Sequence, residues 1–405
     1  MTSDTTVRFL HTSDWQLGMR RWFLHTHDNA DAQVRFDAAR LAAVRALGQL
    51  AIAQDCSFIV VAGDVFEHNS LERHTIGRAL EVLKHLPVPV FLLPGNHDPL
   101  TADSIFYRTQ DIDNVTVLTN TEPVAVDTPA GVVEIVGAPW LTKHATRDLV
   151  SDAIAPLEPT DRVRIVVGHG QVENRSGEFA PELIDLSALE RAVADRTIDY
   201  VALGDTHSAM ALDSAGAVWF SGTPETTDFH ERGLRGQDSR GENNSGVALT
   251  VAVTKQPHSP EPSRVEVHEH QVGTWTFDAV EWDVNDASDV EAFLAFLSAY
   301  PNKAETVVKY ALQGSVDMST MQQLDAGLAD LAPVFGALYE RQRLMDLSLA
   351  PSDEDLAQCE LGGYAGHALA ELSELAAQPP GTSRTPERDT AHDALRLLFR
   401  LAQKR

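Results

Sequence analysis

Cysteine is almost absent from this chain: of 405 residues only Cys56 and Cys359 are cysteines, far apart and in no metal-ligand spacing. That excludes a disulfide framework and a zinc finger, and a chain of this length can bury a core large enough to need neither. Basic residues are scarce as well. Lys and Arg number 32 against 59 Asp and Glu, for a net charge of −27. A protein that coats nucleic acid draws its non-specific affinity from neutralising phosphates, so this balance argues against that role. It does not exclude an enzyme whose metals and partner supply the positive charge. Long apolar runs are missing too. No stretch approaches the roughly 20 residues that span a bilayer, and the longest, such as Phe58 to Ala62, are strand-sized. The residues from Met1 to Trp15 contain no apolar core of a signal peptide, so the expectation is a soluble, cytoplasmic protein with no membrane partner. Two chemistries are also missing. There is no Gly-x-Ser-x-Gly elbow and no cysteine in a motif to act as nucleophile, and no Walker A sequence, so any ATP dependence must come from another chain.

What is present is an alternation of short apolar runs and helical patterns from Val7 to about Val253. At roughly 150 residues per domain the length allows two to three domains. Strand candidates are Val7–Leu10, Phe58–Ala62, Val88–Leu93, Val132–Val136, Arg164–Val167 and Tyr200–Leu203. Between them Val34, Ala38, Leu41, Val44, Leu47 and Ala51 recur at helical spacing, as do Ile76, Ala79, Leu80 and Leu83. This pattern predicts a layered α/β domain with its sheets covered by helices. A Gly- and Asn-rich loop, Gly233 to Ser245, interrupts its late part, and the Pro- and Ser-bearing stretch Gln256 to Ser263 reads as a linker. A smaller α+β unit begins near Arg264, with Ser288 and Glu291 as a capping-box signature ahead of an apolar helix. Thr306–Leu312 and Val334–Tyr339 are strand-like, and after Pro351 come two helical segments separated by Pro379-Pro380-Gly381. The last segment, Arg388 to Arg405, has five basic and two acidic residues and an apolar face carrying Leu395, Leu398, Phe399 and Ala402. It is too short to be very stable alone, and it packs on this chain or on another. The expected division is therefore 1–255, 264–350 and 351–405.

Chemistry is signalled where the strands end. Val7–Leu10 leads into His11-Thr12-Ser13-Asp14-Trp15-Gln16-Leu17-Gly18, Phe58–Ala62 into Gly63-Asp64-Val65-Phe66-Glu67, and Val88–Leu93 into Pro94-Gly95-Asn96-His97-Asp98. Arg164–Val167 leads into Gly168-His169-Gly170, and Tyr200–Leu203 into Gly204-Asp205-Thr206-His207. Taken singly, a Gly-Asp pair is a turn and Asn-His-Asp an Asx-turn. Together, five Gly-associated clusters of oxygen and nitrogen donors at the carboxyl ends of strands, where open α/β sheets bind ligands, point to a bound cation.

In these motifs the sequence resembles the calcineurin-like metallophosphoesterases, in the order Asp-x-(His), Gly-Asp, Gly-Asn-His-Asp, Gly-His and Gly-x-x-His across residues 7 to 220. Within that family it is most similar to the SbcD-type DNA-repair nucleases, on His11 to Gly18, Ala62 to Phe66, Pro94 to Asp98 and Phe220-Ser221-Gly222-Thr223-Pro224-Glu225. The resemblance implies an α/β fold, a layered β-sandwich flanked by helices, with a smaller α+β capping domain and a C-terminal helical tail. It also implies a dinuclear centre. One metal would take Asp14, Gln16, Asp64 and His207; the other would take Asp64, Asn96, His169 and Asp205, with Asp64 bridging. His97 would face the scissile phosphate and stabilise or protonate the departing oxygen, and Asp98 would orient that imidazole through a hydrogen bond. Two departures stand out. Gln16 occupies a position where the family usually has His, and Asp205 replaces the first His of Gly-His-x-His. The resulting set of three carboxylates, two amides and two imidazoles favours Mn²⁺ or Mg²⁺ over zinc.

Such a centre hydrolyses a phosphate ester in line without a covalent protein intermediate. The resemblance implies two Mn²⁺, with Mg²⁺ as the substitute, and a DNA substrate cut with a 3′→5′ exonuclease component in double-strand-break repair. It further implies a homodimer through the nuclease domain and a partner ATPase of the SbcC type, SMC-like, docked on the C-terminal helices. Glu67 stands where some relatives carry a His used in exonucleolytic work, which bears on the balance of exo- and endonuclease activity. Two other readings are a phosphodiesterase or phosphatase for small nucleotides, which the acidic balance favours, and a non-catalytic scaffold for the ATPase, which only the changes at Gln16 and Asp205 favour.

Overall fold

The computed structural model describes residues 4–25, 31–173, 180–233, 239–349 and 363–376 and, near the C-terminus, 390–391, 394–395 and 397–398. The chain divides into two compact units, one made of Met1–His25, Ala30–Phe229 and Gly241–Thr276 and the other of the remaining segments.

In the first unit, ten strands appear in order: β1 (Thr5–Thr12), β2 (Ile59–Val61), β3 (Val90–Leu92), β4 (Val115–Val117), β5 (Val124–Thr128), β6 (Gly131–Gly137), β7 (Val163–His169), β8 (Tyr200–Gly204), β9 (Ala209–Ala211) and β10 (Val218–Ser221). Two short strands, β11 (His230–Arg232) and β12 (Ser239–Gly241), are described with the second unit; β13 (Val247–Lys255) and β14 (Arg264–Gln271) return to the first. They form two six-stranded sheets, ordered β14-β13-β1-β2-β3-β4 and β5-β6-β7-β8-β10-β9.

Strand alternation decides what each face meets. Val60, Phe91, Phe9 and Val7 face Val163, Ile165, Val167 and Tyr200 in the core between the sheets. Ile59, Val61 and Leu92 face the other way, onto helices α1 (Ala32–Ala53) and α2 (Arg73–Lys84). On the far side, Val166, Val201 and Val218 pack against α3 (Leu149–Ile154) and α4 (Leu186–Ala194). The result is helix, sheet, sheet, helix, the layered α/β sandwich expected. Because β1, β2 and β3 run parallel, as do β7 and β8, their carboxyl ends deliver loops in one direction.

The stretch 256–263 is not a linker between units. It is the loop joining β13 to β14, which pair antiparallel from Val247↔Gln271 to Thr254↔Arg264. The second unit takes over at Phe277 rather than near Arg264.

That unit is built on a sheet of β11, β12, β15 (Thr276–Val284), β16 (Thr306–Val316), β17 (Ala337–Glu340) and β18 (Asp346–Leu349). Helices α5 (Ala287–Ser298) and α6 (Met318–Leu331) bury Val290, Phe293, Leu297 and Leu324 with Val284, Val308 and Leu312. The start of α5 differs from the expected capping box. Asp286 is its N-cap and accepts from Ser288 N and Asp289 N, because a carboxylate satisfies those free amides as well as a hydroxyl does. Helix α7 (Tyr364–Ala376) carries Leu369, Leu372 and Leu375, which cluster with Ala391, Leu395 and Leu398. The described part of the terminal apolar face thus packs within this chain, while Phe399 and Ala402 lie outside the described residues. Among the described residues no helix is long and apolar enough to cross a membrane.

Candidate metal centre

Five of the loops at these strand ends meet. The loop after β1 runs alongside the loop after β2, with Asp14 N donating to Gly63 O at 3.0 Å and Gln16 N to Asp64 O at 2.9 Å. His97 N donates to Asp64 Oδ1 at 3.0 Å, which brings in the loop after β3. From the second sheet, Asp205 N donates to Asp14 Oδ2 at 3.0 Å. Close approach explains two glycines: a Cβ on Gly95 would strike the Asp64 carboxylate, and one on Gly63 the His169 imidazole. Four of the donors sit on strained backbone. Asp14, Gln16, Asp64 and Asp205 have φ of 52°, 40°, 52° and 95°, a conformation that costs of order 1–3 kcal/mol each for a residue other than glycine and concentrates at functional sites.

Asp14, Asp64 and His169 are buried, with one ligand atom from each within 4.8 Å of the others. Around His169 Nε2 lie Asn96 Oδ1 at 2.8 Å, Asp64 Oδ2 at 3.5 Å and Asp205 Oδ1 at 3.7 Å. Its Nδ1 donates to the Ala62 carbonyl at 2.8 Å, which turns Nε2 to the cluster. Around His207 Nε2 lie Gln16 Nε2 at 3.3 Å and Asp14 Oδ1 at 3.7 Å. All seven residues expected as ligands are therefore gathered in two adjoining groups, with Asp205 also accepting from Gln171 Nε2.

The electrostatics follow from packing carboxylates around imidazoles out of water. Burial opposes a charge on His169, but Asp64, with Asp14 and Asp205, outweighs it and raises that imidazole well above its ordinary value. Burial likewise opposes charge on His207, and Glu242 and Asp14 overcome it to bring the imidazole up to about 9. Asp14 is pushed up by burial against the pull of both imidazoles. Asp64 is held down, because His169 and His97 outweigh its burial.

The same residues fit a cation. Asp14 Oδ1 and Gln16 Oε1 are buried with no hydrogen-bond partner, which an uncompensated interior would not tolerate cheaply. A hard divalent ion would satisfy both oxygens, and the donor set is rich in oxygen.

His97 stands at the rim, its side chain 40% exposed and its Nε2 4.0 Å from Asp64 Oδ2. The expectation that Asp98 orients this ring is corrected by the structure. His97 Nδ1 lies 3.1 Å from the Glu67 carbonyl, whereas fully buried Asp98 accepts from Phe66 N at 2.9 Å and Gly95 N at 2.8 Å. Asp98 thus ties the loops after β2 and β3 together. Burial, aided by the nearby Asp64 charge, raises its carboxyl to about 8.

Three supports were not foreseen. Arg40 of α1, buried, donates to the carbonyls of Trp15, Glu225 and Thr226, bracing the loop that carries Asp14 and Gln16. Thr227 and Glu242 stand behind His207. Arg40 is hidden in an ordinary amphipathic helix, and Glu242 lies in a Gly- and Asn-rich loop among 59 acidic residues. Thr227 could have been suspected only from its place two residues after the Gly222-Thr223-Pro224-Glu225 run.

The calcineurin-like phosphoesterase family model matches residues 7–209. Over 230 residues the chain is 24% identical to the DNA double-strand break repair protein Mre11 of Saccharolobus solfataricus, covering 54% of this chain and 55% of that one. A protein of the same name from Archaeoglobus fulgidus is 24% identical over 249 residues, 56% of this chain and 52% of that one. The chain thus spans about half the length of the curated relatives it matches. Among solved structures, a dimetal phosphatase from Danio rerio aligns over 67% of this chain and 100% of its own, at 11% identity and a TM-score of 0.37.

Proposed function

The chain belongs to the calcineurin-like phosphoesterase family, a family of metal-dependent hydrolases, and from that premise we propose that it is a Mn²⁺-dependent DNA nuclease. The single observation that carries the proposal is the convergence of Asp14, Asp64 and His169 within 4.8 Å, beside two buried oxygens without partners. Asp14, Gln16, Asp64 and His207 would hold one ion and Asp64, Asn96, His169 and Asp205 the other, with Mg²⁺ able to replace Mn²⁺. When bound, such a pair polarises the phosphate and supplies an activated water near neutral pH.

The chain's own groups do the rest. The Glu67 carbonyl fixes the His97 ring through Nδ1, so Nε2 is presented to the departing oxygen, which it stabilises or protonates. Asp98 keeps the His97 loop registered on the Asp64 loop through the Phe66 and Gly95 amides. The backbone held at positive φ keeps Asp14, Gln16, Asp64 and Asp205 aimed inward before any ligand arrives.

DNA as the substrate is supported by the likeness to the two DNA double-strand break repair proteins and by the Gly222-Thr223-Pro224-Glu225 continuation. We assign a 3′→5′ exonuclease component and a place in double-strand-break repair beside an SMC-like ATPase of the SbcC type, the C-terminal helices being the docking segment. In functional terms we propose the first unit as the nuclease, the second unit from Phe277 to about residue 349 as the cap and 351–405 as the partner-binding segment. We further propose a homodimer through the nuclease domain.

The test is Mn²⁺-dependent release of nucleotides from 3′-labelled linear duplex DNA. Wild-type protein is expected to release label, and His97→Ala to lose about 10²–10⁴ of that rate while retaining Mn²⁺ uptake. Absence of release with and without the ATPase, alongside turnover of a small phosphodiester, would favour the small-nucleotide reading instead.

A further inference from the structure

Behind His207, on the side away from the cluster, lies a short chain of buried polar atoms. Thr227 Oγ1 is 2.5 Å from His207 Nδ1 and 2.5 Å from Glu242 Oε2. Thr227 is wholly buried and Glu242 7% exposed. Glu242 receives two further donors, Thr227 N to Oε1 at 2.7 Å and Asp228 N to Oε2 at 2.8 Å. His207 Nδ1 itself lies 3.4 Å from Oε2, farther than the Thr227 hydroxyl between them, and each of these partners offers the carboxylate a hydrogen, so it acts as an acceptor.

A hydroxyl has one hydrogen to give. The Thr227 hydrogen goes to Glu242, since two oxygens cannot approach so closely without a proton between them. Thr227 Oγ1 must then accept from His207, and the donor is Nδ1–H. The alternative tautomer would put a proton on Nε2, facing the Gln16 amide nitrogen at 3.3 Å, and would leave Nδ1 as an acceptor with no hydrogen to accept. The chain therefore runs Nδ1–H to Oγ1–H to the carboxylate, which leaves Nε2 as the nitrogen that would give up its proton to a cation beside Asp14 and Gln16.

We infer that Thr227 and Glu242 are positioning residues that set the tautomer and the donor strength of His207, and thereby the affinity of the ion it helps to hold. This rests on the metal reading of the site given above. In that reading His207 is the one imidazole of its group, set beside an amide at Gln16, so its strength as a donor bears directly on that ion. The other imidazole is held differently: His169 Nδ1 donates to a neutral carbonyl, Ala62 O. A carboxylate behind a ligand imidazole raises its basicity and orients its ring, and losing such support costs about 10–100-fold in metal affinity. The effect should fall on one ion only.

The experiment is calorimetric titration of the full chain with Mn²⁺, comparing wild type, Thr227→Val, Thr227→Ser and Glu242→Gln. The expectation is two sites in the wild type, one of them weakened by about 10–100-fold in Thr227→Val and in Glu242→Gln, with the wild-type value restored in Thr227→Ser. If Thr227→Val does not fold, Glu242→Gln against wild type carries the same comparison. Unchanged affinities in a folded variant would overturn the relay, and so would an equal loss at both sites that Thr227→Ser fails to repair. Wild-type protein that takes up no Mn²⁺ would defeat the metal reading itself, a result distinct from a relay that proves idle.

Discussion

His11 begins the first motif yet sits in the core, wholly buried, with Nδ1 3.0 Å from the Tyr200 hydroxyl and Nε2 3.2 Å from the Leu203 carbonyl. Burial holds its imidazole down to about 3, from 6.5, against the small upward pull of that carbonyl. Between those two values the unfolded chain binds a proton that the native chain refuses. Stability from this residue is therefore complete above about pH 6.5 and is lost as pH falls toward 3. His11→Asn is expected to flatten the fall in unfolding free energy between about pH 7 and pH 5, measured by urea titration. A slope equal to the wild type would show that His11 is not the proton acceptor. At Gln16 the prediction concerns the ion. Its Oε1 is buried without a partner, and an imidazole is a stronger donor than an amide oxygen, so Gln16→His should tighten Mn²⁺ binding at one site. Unchanged stoichiometry and affinity would argue against Gln16 as a ligand. At this scale the sequence was informative where a residue type is costly without a ligand, as with Asp64, Asn96 and His169 beside glycines. It was silent on Thr227 and Glu242, whose meaning comes from what they touch after folding, and it misplaced the partner of His97, because a backbone carbonyl leaves no mark in a motif.

Among the elements, β13 is anchored by a fully buried ion pair. Lys255 Nζ is 2.8 Å from Asp199 Oδ2, each side chain 1% exposed, and Asp199 also accepts from Arg164 N and Ser263 Oγ. Breaking such a pair strands a charge out of water, so Lys255→Met should cost about 3–5 kcal/mol in urea unfolding at neutral pH. A cost under about 1 kcal/mol would mean that water reaches Asp199 in the native state. Element identities were legible from periodicity: six strands and two long helices of the first unit lie where the apolar pattern puts them. Their connections were less so. The Pro- and Ser-bearing stretch 256–263 has the composition of a linker and is a loop within one sheet, since composition reports turn chemistry and not which strands a turn joins. The cap of α5 moved from Ser288 to Asp286, two good capping residues between which only the backbone path decides.

For the molecule as a whole, the family match covers 7–209, almost all of it in the first compact unit, and the seven candidate ligands lie in that unit. The layered α/β architecture was legible because strand and helix patterns alternate so regularly. The boundary of the second unit was not, because β14 is an exposed edge strand whose Glu- and His-rich sequence gives no hint of which sheet it joins. With a net charge of −27, the proposed DNA reading requires that divalent ions offset the local carboxylates before a phosphate backbone can approach. The central claim is that five strand ends build one two-ion centre around Asp64. Its most direct test is anomalous diffraction at the manganese absorption edge from crystals of the whole chain grown with Mn²⁺. The account predicts two peaks about 3.5–4 Å apart, one on each side of the Asp64 carboxylate, the first against Asp14, Gln16 and His207 and the second against Asn96, His169 and Asp205. A single peak, or none within reach of Asp64, would contradict it.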